Sequence, residues 1–591
     1  MKRFIAILAA VLLLTGCAPQ IAVPTEPKDT TAEPATVATD LTELFTDRDY
    51  KTDYEKTAVI TLSDSGSTCD SNAVQIDGST ITVTDEGTYV LTGKLTDGQV
   101  IVRADKTDKT QLVLENVSIR NSATAPIYIE QADKVFVTLV GENALSADAL
   151  DETIDAALFS KEDLTINGSG SLNVTSALHG IVSKDELTVT GGSFHITCAS
   201  HGITGKDNLC IDGGSFAIAA GKDGLHSENK DDSTLGFVYI KSGDFRISAE
   251  GDGISAAAWM QLDGGTYDIE TGGGSENAQQ KTSSNWGGMG GGRGPGGFGG
   301  MGGGKRPGGA GGFASLPEQT ADTTDTTDST SIKGIKASGE LVINGGSYQL
   351  NCADDAVHSN LNLTVTGGDF AIATGDDGFH ADETLTLTDG TVSITESYEG
   401  LEGLHVKVQG GDIALVASDD GLNAAGGTDD SGMGGRDQFG GGRGFGGMGA
   451  GNGSILISGG MLAVTASGDG IDANGTLEIT GGHTTVCGPT RGDTATLDYD
   501  KTATISGGTF IGTGGAGMAQ TFSDATQGLI SLSVGNQTAG TQIKVTDSQG
   551  KVLIDYAPAL DFAVVILSSP DLAKGQTYTV QIGTQTQSVT A

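Results

Sequence analysis

The sequence predicts an all-β chain: a right-handed parallel β-helix of about 22 residues per coil, with an N-terminal cap and a C-terminal β cap. Three observations predict it. Turn glycines recur at a fixed period: Gly346, Gly368, Gly390 and Gly411 follow at steps of 22, 22 and 21 residues. The runs between them alternate apolar and small polar residues, as in Leu361-Asn362-Leu363-Thr364-Val365 and Leu385-Thr386-Leu387-Thr388. Such alternation gives one buried and one wet face. Finally, no helical period of useful length lies between the runs. About 22 residues is three short strands and three tight turns, with inward Val, Ile, Leu and Phe stacking on their equivalents one coil on. A leucine-rich repeat has a similar period but needs a Leu/Asn consensus.

Residues 1–17, MKRFIAILAAVLLLTGC, read as a lipoprotein signal peptide. Lys2 and Arg3 form a basic start, and Phe4 to Leu14 an apolar core too short to span a bilayer. The ending Leu14-Thr15-Gly16-Cys17 resembles a bacterial lipobox, which implies cleavage before Cys17 and a lipid on that Cys. The alternative is an ordinary secretory signal with a chance Cys. Residues 18–55 are rich in Thr, Pro, Asp and Glu and read as a flexible tether. The expected location is extracytoplasmic, lipid-anchored to the bacterial cell membrane, with that anchor as the sole membrane contact.

Composition agrees with an exported repeat protein. The chain carries 75 acidic and 33 basic residues, a formal net charge of −42, and 93 glycines. That acidity argues against nucleic acid or bare anionic membrane as a partner and suits uptake of divalent cations. With Cys17 set aside, Cys69, Cys198, Cys210, Cys352 and Cys487 remain. Their number and spacing make neither a disulfide framework nor a zinc ribbon, and free buried thiols are expected.

The β-helix is expected over residues 56–514. Its first part, to about 145, is strand-rich without a clear 22-residue stamp, as a capping region should be. The repeat becomes plain at Gly170, Gly192 and Gly214, and continues through Gly243, Gly265, Gly346, Gly460, Gly482 and Gly508. Two of the long steps hold Gly/Met-rich insertions at about 273–331 and 425–453, both expected to be disordered. They fall beside an acidic corner. A coil tolerates extra residues only where the chain leaves the sheet, so that corner is a solvent edge. From 515 to 591 the repeat stops, and ordinary strands such as Tyr578-Thr579-Val580-Gln581-Ile582 read as the C-terminal β cap.

Aligned on the coil, the corner residue is His179, His201, Asp223, Asp252, Asp355, Asp377, Glu399, Asp420 and Asp469. A second acid precedes it at Asp354, Asp376 and Asp419. Three residues later come His226, Ser255, His358, His380, Glu402, Asn423 and Asp472. Stacked coils lie about 4.8 Å apart. Two carboxylates at that distance repel by about 1 kcal/mol in water and by several-fold more in a protein. Opposed oxygens across one calcium ion, bound at about 2.3–2.6 Å, match the coil spacing, and magnesium matches it less well. Several Ca2+ ions are therefore expected on Asp223, Asp252, Asp354, Asp355, Asp376, Asp377, Glu399, Asp419, Asp420, Asp469 and Asp472, most tightly from Asp354 to Asp420. The alternative is that Asp-Gly is simply good turn chemistry.

The coil spacing would strain a zinc centre at His226, His358 and His380. These histidines are expected to face outward and hydrogen-bond ligand or carboxylate. No catalytic residue is assigned, because the same set recurs in successive coils whereas a catalytic centre needs distinct acid and base roles.

The chain resembles a family of exported bacterial carbohydrate-binding proteins, known from clostridia, that bind cellulose and pectic polysaccharide. The matching motifs are Gly87-Thr88-Tyr89-Val90-Leu91 with Leu95-Thr96-Asp97-Gly98, Asp377-Gly378-Phe379-His380 and its relatives, and Ser568-Ser569-Pro570-Asp571-Leu572 with Gly575-Gln576-Thr577-Tyr578. The resemblance covers about residues 55–585. It implies polysaccharide as partner and a calcium-containing parallel β-helix related to polysaccharide lyases. His179 and His201 depart from the acidic pattern, as do Lys333 and Lys336 beside the long insertion.

The expected function is non-catalytic binding of polysaccharide, of pectin/polygalacturonate or cellulose type, by a calcium-loaded surface lipoprotein. His226, His358, His380, Tyr398 and Glu402 are the candidate sugar contacts. Outward aromatics that would stack on neutral cellulose are few: Trp259, Tyr398 and Phe379. One rival is a pectate-lyase-like enzyme, which needs an Arg or Lys base. Arg103, Arg246 and Lys206 lie in coils, but none stands beside the doubled acids. A structural or adhesive stalk is the other rival.

Overall fold

A computed structural model describes residues 41–232, 234–278, 331–425, 452–490, 492 and 494–591. The expected signal peptide with Cys17, the expected tether up to residue 40, and most of both Gly-rich insertions lie outside the described residues. Strand makes up 58% of the structure, so the all-β expectation holds. The helical element among the described residues is a single 3-10 turn, Ser275–Asn277.

The period predicted from the glycines is the register of the structure. Ser193–Cys198 pairs in parallel with Ser171–Ser176 on one side and with the end of Asn208–Ala220 on the other. Ser347–Cys352, Asp369–Thr374 and Thr391–Glu396 continue in the same way. Each of these strands follows a glycine with left-handed backbone, for example Gly192 (φ 109°), Gly346 (114°) and Gly368 (110°). A side chain at Gly368 would be strained there and would press to 3.1 Å from the Phe370 ring. In the turn before Ser171 the left-handed residue is Gly168 (φ 106°) and not the expected Gly170.

The right-handed parallel β-helix, in contrast, is corrected by the strand pairing. Lys109–Asn121 and Asn208–Ala220, 13 residues each, pair with two files of strands at once. They bend where Asn116 (φ 56°) and the pair Gly213 and Gly214 (φ 106° and 101°) tolerate a corner, and the pairing passes from one file to the other across the bend. The files thereby close into a ring. From Lys109–Asn121 it runs through Lys134–Val140, Asp163–Gly168 and Glu186–Val189 to Asn208–Ala220. It returns through Ser193–Cys198, Ser171–Ser176 and Glu142–Ala147. The result is a closed eight-stranded parallel barrel with many further strands outside it. A 22-residue step fixes which residues stack; it does not fix how the files close.

In the hydrophobic core, which runs from the barrel into the further strands, aromatic rings two residues after the turn glycines stack face to face. Phe194, Phe216, Phe245, Tyr267, Tyr348 and Phe370 follow one another with centroids 4.5–4.9 Å apart and planes within 7°. All six are buried. The strand spacing of about 4.8 Å brings them to stacking distance.

The ends depart from the parallel pattern. Val74–Asp77 and Thr80–Val83 form an antiparallel hairpin near the start. Near the other end Phe562–Ser569 pairs antiparallel with both Thr509–Gly514 and Gly528–Gln537. A separate antiparallel sheet holds Val552–Tyr556, Ile543–Thr546, Thr577–Ile582 and Gln585–Thr590. These antiparallel strands lie in the stretch expected as a C-terminal β cap, and their Ile543, Val545, Val580 and Ile582 share a core cluster with Ile511, Ile530 and Val565.

Residues 41–51, read as part of the tether, pack on the sheet instead. Leu41, Leu44 and Phe45 lie against Cys210, Phe237 and Tyr239. Asp49 is 1% exposed. Its carboxylate accepts from Thr165 Oγ1 at 2.6 Å and lies 3.1 Å from Lys134 Nζ. Of the thiols, Cys198, Cys210, Cys352 and Cys487 are free and buried, and Cys69 is free and half-buried.

Candidate functional site

The predicted corner alignment is a real column. The corner carbonyl of each repeat accepts the N–H of the residue after the corner in the repeat before: His201 from Gly180, Asp223 from Gly202, Asp252 from Gly224, and so on through Asp377, Glu399, Asp420 and Asp469. Lys333 takes its place between Asp252 and Asp355.

The corner side chains carry a second ladder. Asp252 N–H donates to Asp223 Oδ1 at 2.9 Å, Lys333 N–H to Asp252 Oδ1 at 2.8 Å, Asp377 N–H to Asp355 Oδ1 at 3.1 Å, and Asp469 N–H to Asp420 Oδ1 at 2.5 Å. Where histidine replaces the acid, Nδ1 takes over. His179 Nδ1 accepts from His201 N–H, and His201 Nδ1 accepts from Asp223 N–H, both at 3.2 Å. Asp and His interchange at the corner because each offers an acceptor at the same reach. Burial holds the His179 imidazole down at about 3, which keeps that acceptor unprotonated.

The residues three positions later form an adjacent lane. Thr204, His226, Ser255, Lys336, His358, His380, Glu402, Asn423, Asp472 and Asp498 stand side by side in register. They alternate along their strands with core residues such as Leu225, Val357 and Leu401, so they belong to the face away from the core. Its character changes along the column, from histidine to carboxylate.

In the middle the protein supplies its own cations. Lys333 Nζ lies 3.1 Å from Asp354 Oδ1 and 2.7 Å from Asp355 Oδ2. His358 Nδ1 is 2.8 Å from the same Asp355 oxygen. Burial and the Lys333 charge push the His358 imidazole down to about 3, so it is neutral. His380, stacked on it at 4.7 Å, behaves oppositely. Burial works against its charge, but Asp377 and Glu402 bind its Nδ1 and Asp382 its Nε2, and together they raise it well above the ordinary histidine range. His380 is an imidazolium inside an acidic cage. Asp377 itself is pushed up by burial and by the charges of Asp376 and Glu402.

Three expectations change here. His358 and His380 lie on the face away from the core but are 3% and 1% exposed, so they are buried among the carboxylates rather than open to solvent. Phe379 is fully buried. Trp259 stacks on Phe237 at 4.1 Å and packs, half-buried, against the same cluster as Leu41, Leu44 and Phe45. Tyr398 and Glu402 are half-buried at the column. Arg103 and Arg246 make exposed ion pairs with Glu130 and Asp268, away from the doubled acids.

Toward the C-terminal end the counter-charge changes. Asp420, Asp469 and Asp472 offer one carboxylate oxygen each, all within 4.8 Å of one another, and all three are half-buried. Burial and the charges of Asp469, Asp419 and Asp472 push Asp420 up to about 8. Burial and the charges of Asp469, Asp498 and Asp500 push Asp472 up to about 7. Three carboxylates so placed resist ionising together unless a cation joins them. The oxygen-only donor set and its spacing fit calcium. At Asp354 and Asp355 the Lys333 ammonium stands between the same kinds of oxygen.

A family model described as carbohydrate-binding domain-containing protein matches residues 77–378 and 376–555. A carbohydrate-binding domain-containing protein of Acetivibrio thermocellus is 39% identical over 217 residues, which cover 34% of this chain and 76% of that protein. A solved structure, of the polysaccharide lyase-like protein from C. thermocellum as a gadolinium derivative, is 30% identical. The match covers 36% of this chain and 92% of that one, with a TM-score of 0.35.

Proposed function

The chain belongs to the carbohydrate-binding domain-containing protein family, and from that premise we propose that it binds acidic polysaccharide through calcium held by Asp420, Asp469 and Asp472. The observation that carries this reading is the convergence of those three carboxylates, two of them with strongly raised proton affinity. Calcium would supply a bridge between carboxylates of the protein and of the glycan. The chain's own part is to hold the oxygens in place. The N–H of Asp469 fixes Asp420 Oδ1, and the N–H of Ala495 fixes Asp469 Oδ1. The half-buried setting leaves a route to a polymer lying along the column. A periodic polymer suits a periodic protein, because weak contacts add through multivalency.

The test is retention on polygalacturonate, with calcium and with chelator, for the full chain and for Asp420→Asn/Asp469→Asn. Retention that needs calcium and is lost in the variant is expected. Retention unaffected by chelator or by the substitutions would refute the reading. A steady rise in absorbance of unsaturated product during the incubation would instead make this a lyase.

The anchoring reading rests on Leu14-Thr15-Gly16-Cys17. A Cys17→Ser chain should leave the membrane fraction and lose lipid label; a variant that keeps both would exclude it.

A further inference from the structure

At the N-terminal end of the same column the donors are different in kind. We propose that His201, Asp223 and His226 form a site for a borderline transition-metal cation such as Zn2+ or Co2+, bound through two imidazole nitrogens and one carboxylate oxygen. The site joins two files of the sheet: His201 and Asp223 come from successive corners, and His226 from the adjacent lane.

The geometry carries the assignment. His226 Nδ1 lies 2.8 Å and His201 Nδ1 3.2 Å from Asp223 Oδ2. All three donor atoms fall within 4.8 Å of one another. Tetrahedral ligand atoms on bonds of about 2.0–2.1 Å stand about 3.3 Å apart, close to the two distances observed. Two imidazoles with one carboxylate favour zinc, cobalt, nickel or copper over calcium.

The protonation pattern also suits a metal. His201 Nδ1 accepts the N–H of Asp223, so it is the unprotonated ring nitrogen, and a metal bound there replaces that hydrogen bond. His226 Nδ1 is close to the carboxylate but misaligned, and is buried without a hydrogen-bond partner. Thr204, beside His226 in register, likewise buries its Oγ1 with no partner, at 2% exposure. A site of buried, unfulfilled donors and acceptors is costly unless something completes it. The two rings lie nearly parallel, 4.3 Å apart at 16°. Uptake therefore requires a rotation of each ring about its Cβ–Cγ bond so that both lone pairs aim at one point.

The experiment is a Co2+ titration of the full chain in excess calcium, which occupies carboxylate-only sites. One equivalent should be taken up with visible bands of a tetrahedral nitrogen-containing set. His201→Gln and His226→Gln should each weaken uptake at least about tenfold, whereas Asp420→Asn should not. A second measurement on the unmodified chain needs no variant to fold: paramagnetically shifted ring N–H resonances from two histidines should appear in proton spectra. Equal uptake by the histidine variants, no saturable uptake under calcium, or absence of those resonances would each overturn the assignment. Polygalacturonate retention is read separately, so either proposal can fail alone.

Discussion

The ammonium of Lys333 lies 2.7 Å from Oδ2 of Asp355, the corner residue of the following repeat. Both groups are almost wholly buried. A lysine thus stands in a column whose neighbours on both sides are carboxylates, and its one ammonium is shared between Asp354 and Asp355.

Lys333→Met should therefore be severe. Breaking a buried pair on one side leaves uncompensated charge and costs about 3–5 kcal/mol. Denaturant unfolding should show that loss. Calcium should restore part of it in Lys333→Met, since an ion can then take the ammonium's place. A variant as stable as the original, with no calcium response, would show that the pair is not holding the column together.

Calcium-free stability should fall as pH rises. The folded-state values of Asp420 and Asp472, about 8 and about 7, lie above the ordinary 3.8 of an unfolded Asp. Between those limits the folded protein holds protons that the unfolded chain has released, so stability declines from about pH 4 to about pH 8. Calcium should flatten the decline, and Asp420→Asn should remove part of it. Melting temperatures across that range, with chelator and with calcium, check both; a calcium-free stability that rises over the range would contradict the crowding of carboxylates.

Phe216→Ala should cost about 3–5 kcal/mol, as large core truncations do. It opens the ring stack between Phe194 and Phe245, 4.9 and 4.8 Å away. Phe216→Leu should cost clearly less. Equal losses in guanidinium unfolding would mean that the column is loosely packed.

Asp49→Ala should loosen residues 41–51 and leave the repeats folded. It removes the acceptor of Thr165 and the counter-charge of Lys134, a loss of about 1–3 kcal/mol for the buried groups left behind. Limited proteolysis should cut this segment before the rest. Burial raises the Asp49 carboxyl, but Thr165, Thr46 and Lys134 outweigh it and hold it below the ordinary range. Its contribution is complete above the unfolded value and is lost as pH falls through the folded one. The segment should therefore release in acid. An unchanged digestion pattern in Asp49→Ala would show that Leu41, Leu44 and Phe45 suffice.

The sequence by itself determined what recurs. Glycine at 192, 214, 346 and 368 announces a left-handed turn because other residues rarely adopt it, and the strand that follows inherits its phase. Alternation then set the buried face, down to the aromatic two residues past each glycine. The corner acids and the residues three positions on were legible as two columns for the same reason: a fixed step puts equivalent residues in register.

Tertiary structure decided what depends on partners distant in the chain. The bends at Asn116 and at Gly213 and Gly214 join separate files into a closed barrel, which no local period encodes. That an ammonium meets the corner acids Asp354 and Asp355 was fixed by Lys333, which stacks between Asp252 and Asp355 although 81 residues separate it from Asp252. His358 and His380 look alike in sequence, yet one is neutral and the other charged. Lys333 faces the first and three carboxylates face the second. Electrostatic character in a stacked column belongs to the neighbours above and below, and the fold chooses those.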